Sequence, residues 1–236
     1  MRIKLEFKTE KNTVIPFNHQ YFLASAIYNV LSRANEEYSE KLHTHPKYKF
    51  FTFSLLSIPN RRVIEKRGIV PLDGRVFLHV SSPNDEFLKN FVDGIFDCKV
   101  ININGIELIP MNMIIKKIPE DFDTLKTISP IYLKTIIERD GAKKVHDLLP
   151  NNSKFYENFK NNLKKKYGAF YNKECNLDFD FEVLKYKPKR VKIKNTFCRC
   201  SEMVFKVYGD YDLIKFGYEC GFGEKNSMGF GMVEVV

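Results

Sequence analysis

The order of the predicted strands and helices indicates an α+β protein built from two consecutive β-α-β-β-α-β units. Short runs of alternating polarity are separated by longer segments whose apolar residues recur at helical spacing. The 236 residues are 44% hydrophobic, with 21 Phe and 12 Tyr, which is enough apolar material for packed cores. We therefore predict two tandem ferredoxin-like (RRM-like) domains, residues 1–119 and 120–236, with a C-terminal glycine-rich loop.

The first half contains one complete unit. Residues 2–8 alternate as in a strand, and Asn18 is a good N-cap for a helix that runs to Ala34. Pro46 disfavours helix, so the stretch 43–49 is predicted to be a loop. The other predicted elements are a strand at 50–57, a hairpin ending at Asp73-Gly74, a strand at 75–81, a helix at 84–94, and a strand pair at 99–117 turned at Asn104-Gly105.

The second half repeats the pattern after Pro119-Glu120-Asp121, the predicted domain boundary. Its predicted elements are strands around 125–137, a helix at 153–171, strands at 179–186, 191–194 and 196–208, a helix at 211–220, the glycine-rich loop, and a terminal strand at 232–236.

Composition favours an anionic partner and a cytoplasmic location. The chain has 38 basic against 29 acidic residues, a net charge of +9, which attracts polyanions without separating RNA from DNA or an acidic membrane. No apolar run approaches the roughly 18 residues that span a bilayer, and no signal-peptide segment precedes the first strand. Five scattered cysteines indicate reduced thiols rather than a disulfide framework.

The cysteines and histidines of the chain give only weak evidence for a metal site. Cys198 and Cys200 form a C-x-C without a second pair, and His43 and His45 form an H-x-H without an evident third ligand. The dipeptide His146-Asp147 is interpreted as surface. We therefore predict no metal and no cofactor.

The glycine-rich loop reads G-F-G-E-K-N-S-M-G-F-G from Gly221 to Gly231. Lys225 follows Glu224 rather than glycine, which excludes a nucleotide P-loop. Asn226 stands where a dinucleotide fingerprint needs glycine, and the predicted order is helix, loop, strand rather than the reverse. Because the loop stands just before the last strand, we predict that it faces RNA and that Lys225 contacts a phosphate. The simpler alternative is that the loop only turns the chain.

A basic stripe follows from the segment K-Y-K-P-K-R-V-K-I-K, residues 185–194. On a strand, Arg190, Lys192 and Lys194 share one face, which suits a sugar–phosphate backbone. A charged edge strand that resists aggregation explains the same residues equally well.

A first-half cluster contains the groups needed for metal-free RNA cleavage. A histidine near its reference pKa of about 6.5 can transfer protons, and a lysine can balance charge on a phosphorane. A tyrosine can orient a hydroxyl. The members are Tyr28, His43, His45, Lys47 and Lys49. Two solvated histidines in a polar loop remain the alternative.

Five segments together resemble a known family, the CRISPR-associated endoribonucleases of the RAMP superfamily that process precursor CRISPR RNA. They are Pro16–Leu23 with Ile27-Tyr28-Asn29, Leu42-His43 with Lys49 and Phe51–Leu55, Ile128–Ile131, Lys187–Arg190, and the glycine-rich loop with Met232-Val233. The resemblance covers the whole chain, and the loop is its most specific part.

The resemblance implies a metal-independent cut within the CRISPR repeat, leaving a 2′,3′-cyclic phosphate and a 5′-hydroxyl. By position, Tyr28 would engage the 2′-hydroxyl, His43 would act as general acid, and Lys49 would stabilise the phosphorane; His45 is an alternative for proton transfer.

The residues expected to bind RNA are Lys187, Lys189, Arg190, Lys192, Lys194, Gly221, Gly223, Lys225, Asn226, Ser227, Gly229 and Gly231. The partner would be CRISPR repeat RNA. A CRISPR effector complex as a further partner, and a monomer or a homodimer as the assembly, stay open.

Two other functions fit the same features. One is a non-cleaving repeat-RNA-binding subunit of a CRISPR ribonucleoprotein, because fold and affinity do not imply catalysis. The other is a generic RRM-like binder, although the aromatic RNP1 motif is absent as a clear pattern.

Overall fold

The computed structural model describes residues 1–44, 47–139 and 141–236. Its helices are α1 (Gln20–Ala34), α2 (Glu36–Thr44), α3 (Asp85–Asp97), α4 (Ser153–Tyr171) and α5 (Tyr211–Cys220). Its strands are β1 (Arg2–Lys8), β2 (Thr52–Phe53), β3 (Arg61–Ile64), β4 (Gly68–Pro71), β5 (Arg75–Ser81), β6 (Ile101–Ile103), β7 (Ile106–Lys116), β8 (Thr124–Thr127), β9 (Lys134–Arg139), β10 (Ala142–Asp147), β11 (Phe179–Ile193), β12 (Thr196–Gly209) and β13 (Val233–Val235).

The first half forms a ferredoxin-like unit from β1, α1, β2, β5, α3 and β7. Its antiparallel sheet has the order β2-β5-β1-β7-β6, which places the first strand between the third and fourth strands of the unit. Helix α1 buries Leu23, Ile27, Val30 and Leu31, which recur at helical spacing along one face. Gly94 lets α3 approach closely, because a Cβ there would lie 2.1 Å from the carbonyl oxygen of Val30.

The second half repeats the unit with β8, α4, β11, β12, α5 and β13. Its sheet has the order β11-β12-β8-β13, the same strand arrangement as in the first half. The prediction of tandem ferredoxin-like domains is therefore confirmed. The strands of the two sheets lie within 2–116 and 124–235 respectively, and the boundary at 119/120 stays a prediction.

Several boundaries agree with the prediction, and others differ for local reasons. The observed β1, β5, α4 and α5 have the predicted limits. The predicted cap Asn18 is wrong: His19 occupies the N-cap position, and its imidazole bonds the Pro16 carbonyl oxygen at 2.7 Å and the Leu56 amide at 3.1 Å. The strand predicted at 50–57 shortens to β2, with an isolated bridge at Ser57.

The largest differences occur in the second half. Strand β11 runs unbroken through Pro188, although a break was predicted there. It is an edge strand, where a proline without an N–H is tolerated. Strands β9 and β10 form a separate hairpin, so His146-Asp147 lies on β10. None of the helices in the described ranges has the length and apolar character to cross a membrane.

Candidate active site

Tyr28 lies on α1 with its ring half-buried between the core and a neighbouring helix. Its ring meets the His43 ring edge-on, with centroids 5.4 Å apart and planes at 76°. On its other side it contacts Phe51 in the same manner at 5.9 Å. Two of the three predicted catalytic side chains are therefore in contact.

His43 lies in the last turn of α2, and the predicted loop is wrong at this position. Asn35 begins the helix by accepting a hydrogen bond of 2.9 Å from the Tyr38 amide, and Glu36 and Glu37 occupy the first turn. An Asn followed by two acidic residues is a helix-start signal that the sequence already contained. The exposed imidazole sits at the C-terminal end of the helix.

Lys49 contacts the same helix end from the following segment. Its ammonium donates hydrogen bonds to the carbonyl oxygens of Leu42 and His43, the latter at 2.6 Å. Partial burial lowers the pKa of Lys49 below its usual value. The contact brings all three predicted residues to one place. The predicted alternative His45, with Pro46, lies outside the described residues.

The Tyr28 hydroxyl is neutral at ordinary pH. Burial raises its pKa to about 12, and a hydrogen bond with Ser227 opposes the rise. A tyrosine in this state donates a hydrogen bond well and accepts a proton poorly. A phenol in this state is better suited to orienting a hydroxyl than to deprotonating one.

The glycines of the glycine-rich loop pack against the interior of the protein. Gly221, Gly223, Gly229 and Gly231 are buried. A Cβ on Gly231 would come within 1.8 Å of the Phe222 carbonyl oxygen. These glycines therefore permit close packing of the loop, and their predicted contact with RNA stays untested.

Lys166 is the residue that sequence reasoning missed. A lysine within the run Lys164-Lys165-Lys166 is typical of a solvated helix face, yet only 2% of Lys166 is exposed. Its ammonium donates hydrogen bonds to the carbonyl oxygens of Gly221 and Gly223 and, at 3.0 Å, to the side chain of Asn226. The sequence contains no signal that Lys166 is buried, because it stands in a run of three lysines, Lys164-Lys165-Lys166. Its neighbour Lys165 is exposed.

A basic cleft of about 510 Å³ opens between the loop, α4 and the segment before β2. Ser227 and Asn226 line it together with Asn158 and Asn161. Its lysines are Lys47, Lys49, Lys134, Lys165, Lys166 and Lys225. The Lys225 ammonium lies 3.2 Å from the Cys198 sulfur and 4.7 Å from the centre of the Tyr132 ring. The cleft is large and cationic enough for a phosphate-bearing chain.

The residues of the predicted basic stripe do not all lie on one face of the β11–β12 hairpin. Arg190 and Lys192 share an exposed face, but Lys194 lies in the turn with a φ of +51° and reaches Tyr21, so its predicted place on that face is wrong. Lys189 faces the other way and forms an ion pair with Glu202, and Lys187 also alternates to that side. Across the described ranges, no group of three or more His, Cys, Asp and Glu side chains could hold a metal ion.

The tandem fold, with its loop closing on a tyrosine–histidine pair beside a cationic cleft, defines a protein of the RAMP class. The chain matches the family profiles "CRISPR-associated protein Cas6, N-terminal" over residues 14–114 and "CRISPR associated protein Cas6, C-terminal" over 114–235. The chain belongs to the Cas6 family of CRISPR-associated endoribonucleases.

Individual relatives agree with this assignment. The chain is 62% identical to the curated CRISPR-associated endoribonuclease Cas6 1 of Methanocaldococcus jannaschii, covering 99% of this chain and 92% of that protein. It is 34% identical to the CRISPR-associated endoribonuclease Cas6 of Pyrococcus furiosus, covering 94% and 83%. A solved CRISPR associated protein Cas6 superposes with a TM-score of 0.91 at 62% identity, covering 100% and 99%. A solved RAMP protein described as binding different RNA substrates gives 0.92 at 28% identity, covering 100% and 99%.

Proposed function

We propose that this endoribonuclease cuts precursor CRISPR RNA within its repeat, without a metal ion, by attack of a 2′-hydroxyl on the adjacent phosphate. The observation that carries the proposal is the contact of the Tyr28 and His43 rings at 5.4 Å, with Lys49 bound to the His43 carbonyl. A proton donor and a hydroxyl-orienting group thus stand side by side, next to Lys49, which lines the basic cleft.

Each residue has a distinct role in this reaction. Tyr28 donates a hydrogen bond that holds the 2′-hydroxyl in line with the scissile bond, since its pKa of about 12 keeps its own proton in place. The 2′-hydroxyl gives up its proton to water as its oxygen bonds to phosphorus, and the bond from phosphorus to the 5′-oxygen breaks. His43 protonates that leaving oxygen. The products are a 2′,3′-cyclic phosphate and a 5′-hydroxyl.

Lys49 acts in two ways. Its positive charge favours the phosphorane that forms in the transition state. Its hydrogen bonds to the end of α2 also fix the turn that carries His43. The repeat RNA would lie in the cleft, with Lys225, Asn226 and Ser227 on one wall.

The test uses RNA carrying the CRISPR repeat of the source genome. We expect His43→Ala to lower single-turnover cleavage by about 10²–10⁴-fold while RNA affinity stays the same, as loss of a general acid does. His146→Ala is the matched control, because His146 is an exposed histidine outside the site. Cleavage should persist in EDTA and stop when the scissile nucleotide is 2′-deoxy. Cleavage of the deoxy substrate would rule out the mechanism.

A non-cleaving RNA-binding subunit is the second candidate. It is favoured by the name of one relative of Pyrococcus furiosus, 34% identical over 241 residues, which is described only as a putative endoribonuclease-like protein. Tight, salt-sensitive binding of the repeat with no cut product would support this candidate instead.

The proposal includes the fate of the product and the location of the chain. Cut RNA that co-elutes with the chain on a sizing column indicates retention, whereas free RNA indicates release, which transfer to a CRISPR effector complex would require. The same elution separates a monomer from a homodimer. We place the chain in the cytoplasm, where its five free cysteines would stay reduced.

A further inference from the structure

The β11–β12 hairpin carries a second cationic surface with an aromatic residue at its centre. Strand pairing sets Arg190 directly opposite Arg199 and Lys192 directly opposite Phe197 on the exposed face. The Arg190 guanidinium lies 3.8 Å from the centre of the Phe197 ring. We call these four residues, Arg190, Lys192, Phe197 and Arg199, the hairpin face.

Like charges directly opposite each other destabilise a strand pair unless something neutralises them. In the described part of the chain, no carboxylate forms an ion pair with Arg190, Lys192 or Arg199. The nearest acidic group, Asp147, accepts hydrogen bonds from the Tyr132 hydroxyl at 2.9 Å and the Arg199 amide at 2.8 Å. The hairpin face thus keeps an excess of positive charge that an external anion would neutralise.

The surface is concave and rigidly supported. A depression of about 450 Å³ is lined by Asp147, Pro188, Lys189, Arg190, Phe197 and Arg199. The opposite face of the hairpin buries Val191, Cys198 and Cys200 against Tyr132 and Phe230. Phe230 belongs to the glycine-rich loop, so the hairpin face is fixed to the loop that closes the active site.

Phe197 is 48% exposed, although the Arg190 guanidinium lies 3.8 Å and the Lys192 ammonium 5.8 Å from the centre of its ring. An exposed aromatic ring flanked by guanidinium groups is the arrangement that binds single-stranded nucleic acid: a base stacks on the ring, and phosphates pair with the cations. An acidic protein segment would use the charges but has no need of the ring.

We propose that the hairpin face is a second RNA site, which takes an unpaired nucleotide with its base on Phe197 and its phosphate between Arg190 and Arg199. The choice of RNA as the ligand rests on the proposed function. The site holds the RNA outside the cleft and takes no part in the cleavage chemistry.

The chain contains no tryptophan, so a single introduced indole reports on one position. We expect Phe197→Trp in the full chain to lose fluorescence when single-stranded oligouridylate of about ten nucleotides is added, because a stacked base quenches the indole. The matched control is Tyr208→Trp, since Tyr208 is 47% exposed on the same strand, away from the hairpin face. Its fluorescence should stay constant.

Affinity gives the second measurement. Phe197→Ala should weaken oligouridylate binding by about five- to a hundredfold, as loss of one stacked base does. Arg199→Gln should flatten the logarithmic dependence of affinity on salt by about 0.7, the value for one phosphate contact on a single strand. Tyr208→Ala should match the unmodified chain in both, and melting curves confirm that each variant is folded.

Equal oligouridylate affinity and salt slope in Phe197→Ala, Arg199→Gln and the unmodified chain would overturn the proposal and leave the hairpin face to an acidic protein partner. Repeat cleavage by the same preparations separates the two ideas. Normal cleavage with no quenching refutes only the hairpin site, and quenching without cleavage refutes only the proposed reaction.

Discussion

The Lys166 ammonium donates a hydrogen bond of 3.0 Å to the side-chain oxygen of Asn226, which joins α4 to the glycine-rich loop. The Asn226 amide in turn donates to the carbonyl oxygens of Phe222 and Phe230, each at 3.0 Å. One side chain therefore ties together both ends of the loop. Because the loop carries Ser227, whose side chain lowers the pKa of Tyr28 against the effect of burial, the contact of Lys166 with Asn226 also supports the candidate active site.

We expect Lys166→Met to lower the free energy of unfolding by about 1–3 kcal/mol. Methionine fills a similar volume but leaves buried acceptors on Gly221, Gly223 and Asn226 without a donor, and such groups are costly to bury. Urea denaturation measures the change. Lys165→Met, at the exposed neighbouring position, should stay within about 0.5 kcal/mol of the unmodified chain. Equal effects of the two changes would show that Lys166 does not support the loop.

Gly231→Ala should destabilise the chain more than Gly105→Ala. Both glycines have a positive φ, +78° and +83°, so both variants bear the backbone strain of about 1–2 kcal/mol. A Cβ at Gly231 would also come within 1.8 Å of a backbone oxygen, whereas one at Gly105 meets nothing within 4 Å. Denaturation midpoints of the two variants measure the difference. Similar midpoints would mean that the loop relaxes and that close packing does not explain its glycines.

Local patterns in the sequence predicted most of the fold. Helix α4 begins at the Asn152 cap and helix α5 follows Asp210, and both helices have the limits that their apolar periodicity predicts. Strand pairing was harder, because register joins residues that are distant in the chain. Arg199 therefore did not stand out until the structure placed it opposite Arg190.

The candidate site was predicted more from the family resemblance than from the chemistry and spacing of its residues. The structure brings Tyr28, His43 and Lys49 together, and their catalytic roles stay a prediction. The helix under His43 and the effect of Ser227 on the pKa of Tyr28 were missed. The first had a readable signal in Asn35 and two glutamates. The second depends on how two domains meet, and no periodicity within either domain encodes that.

Lys49 predicts where cleavage declines at high pH. Burial disfavours the charged form and lowers the pKa of Lys49, so its ammonium loses its proton below the ordinary value of 10.5. If the charge stabilises the phosphorane, the rate should fall with rising pH below 10.5. Lys49→Arg should move this decline to higher pH, because a guanidinium stays protonated. Single-turnover rates from pH 7 to strongly alkaline conditions, corrected for background RNA hydrolysis, measure the shift. An unmoved decline would assign it to another group.

Ser227 should act on the chemical step of cleavage through Tyr28. The hydrogen bond from Ser227 lowers the pKa of Tyr28 against the effect of burial, so Ser227→Ala should raise that pKa further and weaken the phenol as a donor. We expect single-turnover cleavage at saturating RNA to slow by about tenfold, the equivalent of one hydrogen bond of roughly 1.4 kcal/mol. Ser227→Thr keeps the hydroxyl and should restore the rate. Ser25→Ala, on the exposed side of α1, is the matched control.

A double-mutant cycle decides whether the two hydroxyls work together. In a Tyr28→Phe background there is no phenol for Ser227 to contact, so adding Ser227→Ala should change the cleavage rate little. If the second change instead costs the same tenfold in both backgrounds, Ser227 acts on the RNA directly or on the shape of the loop. In that case the hydrogen bond to Tyr28 has no part in the reaction, and the glycine-rich loop serves the active site only as a wall of the cleft.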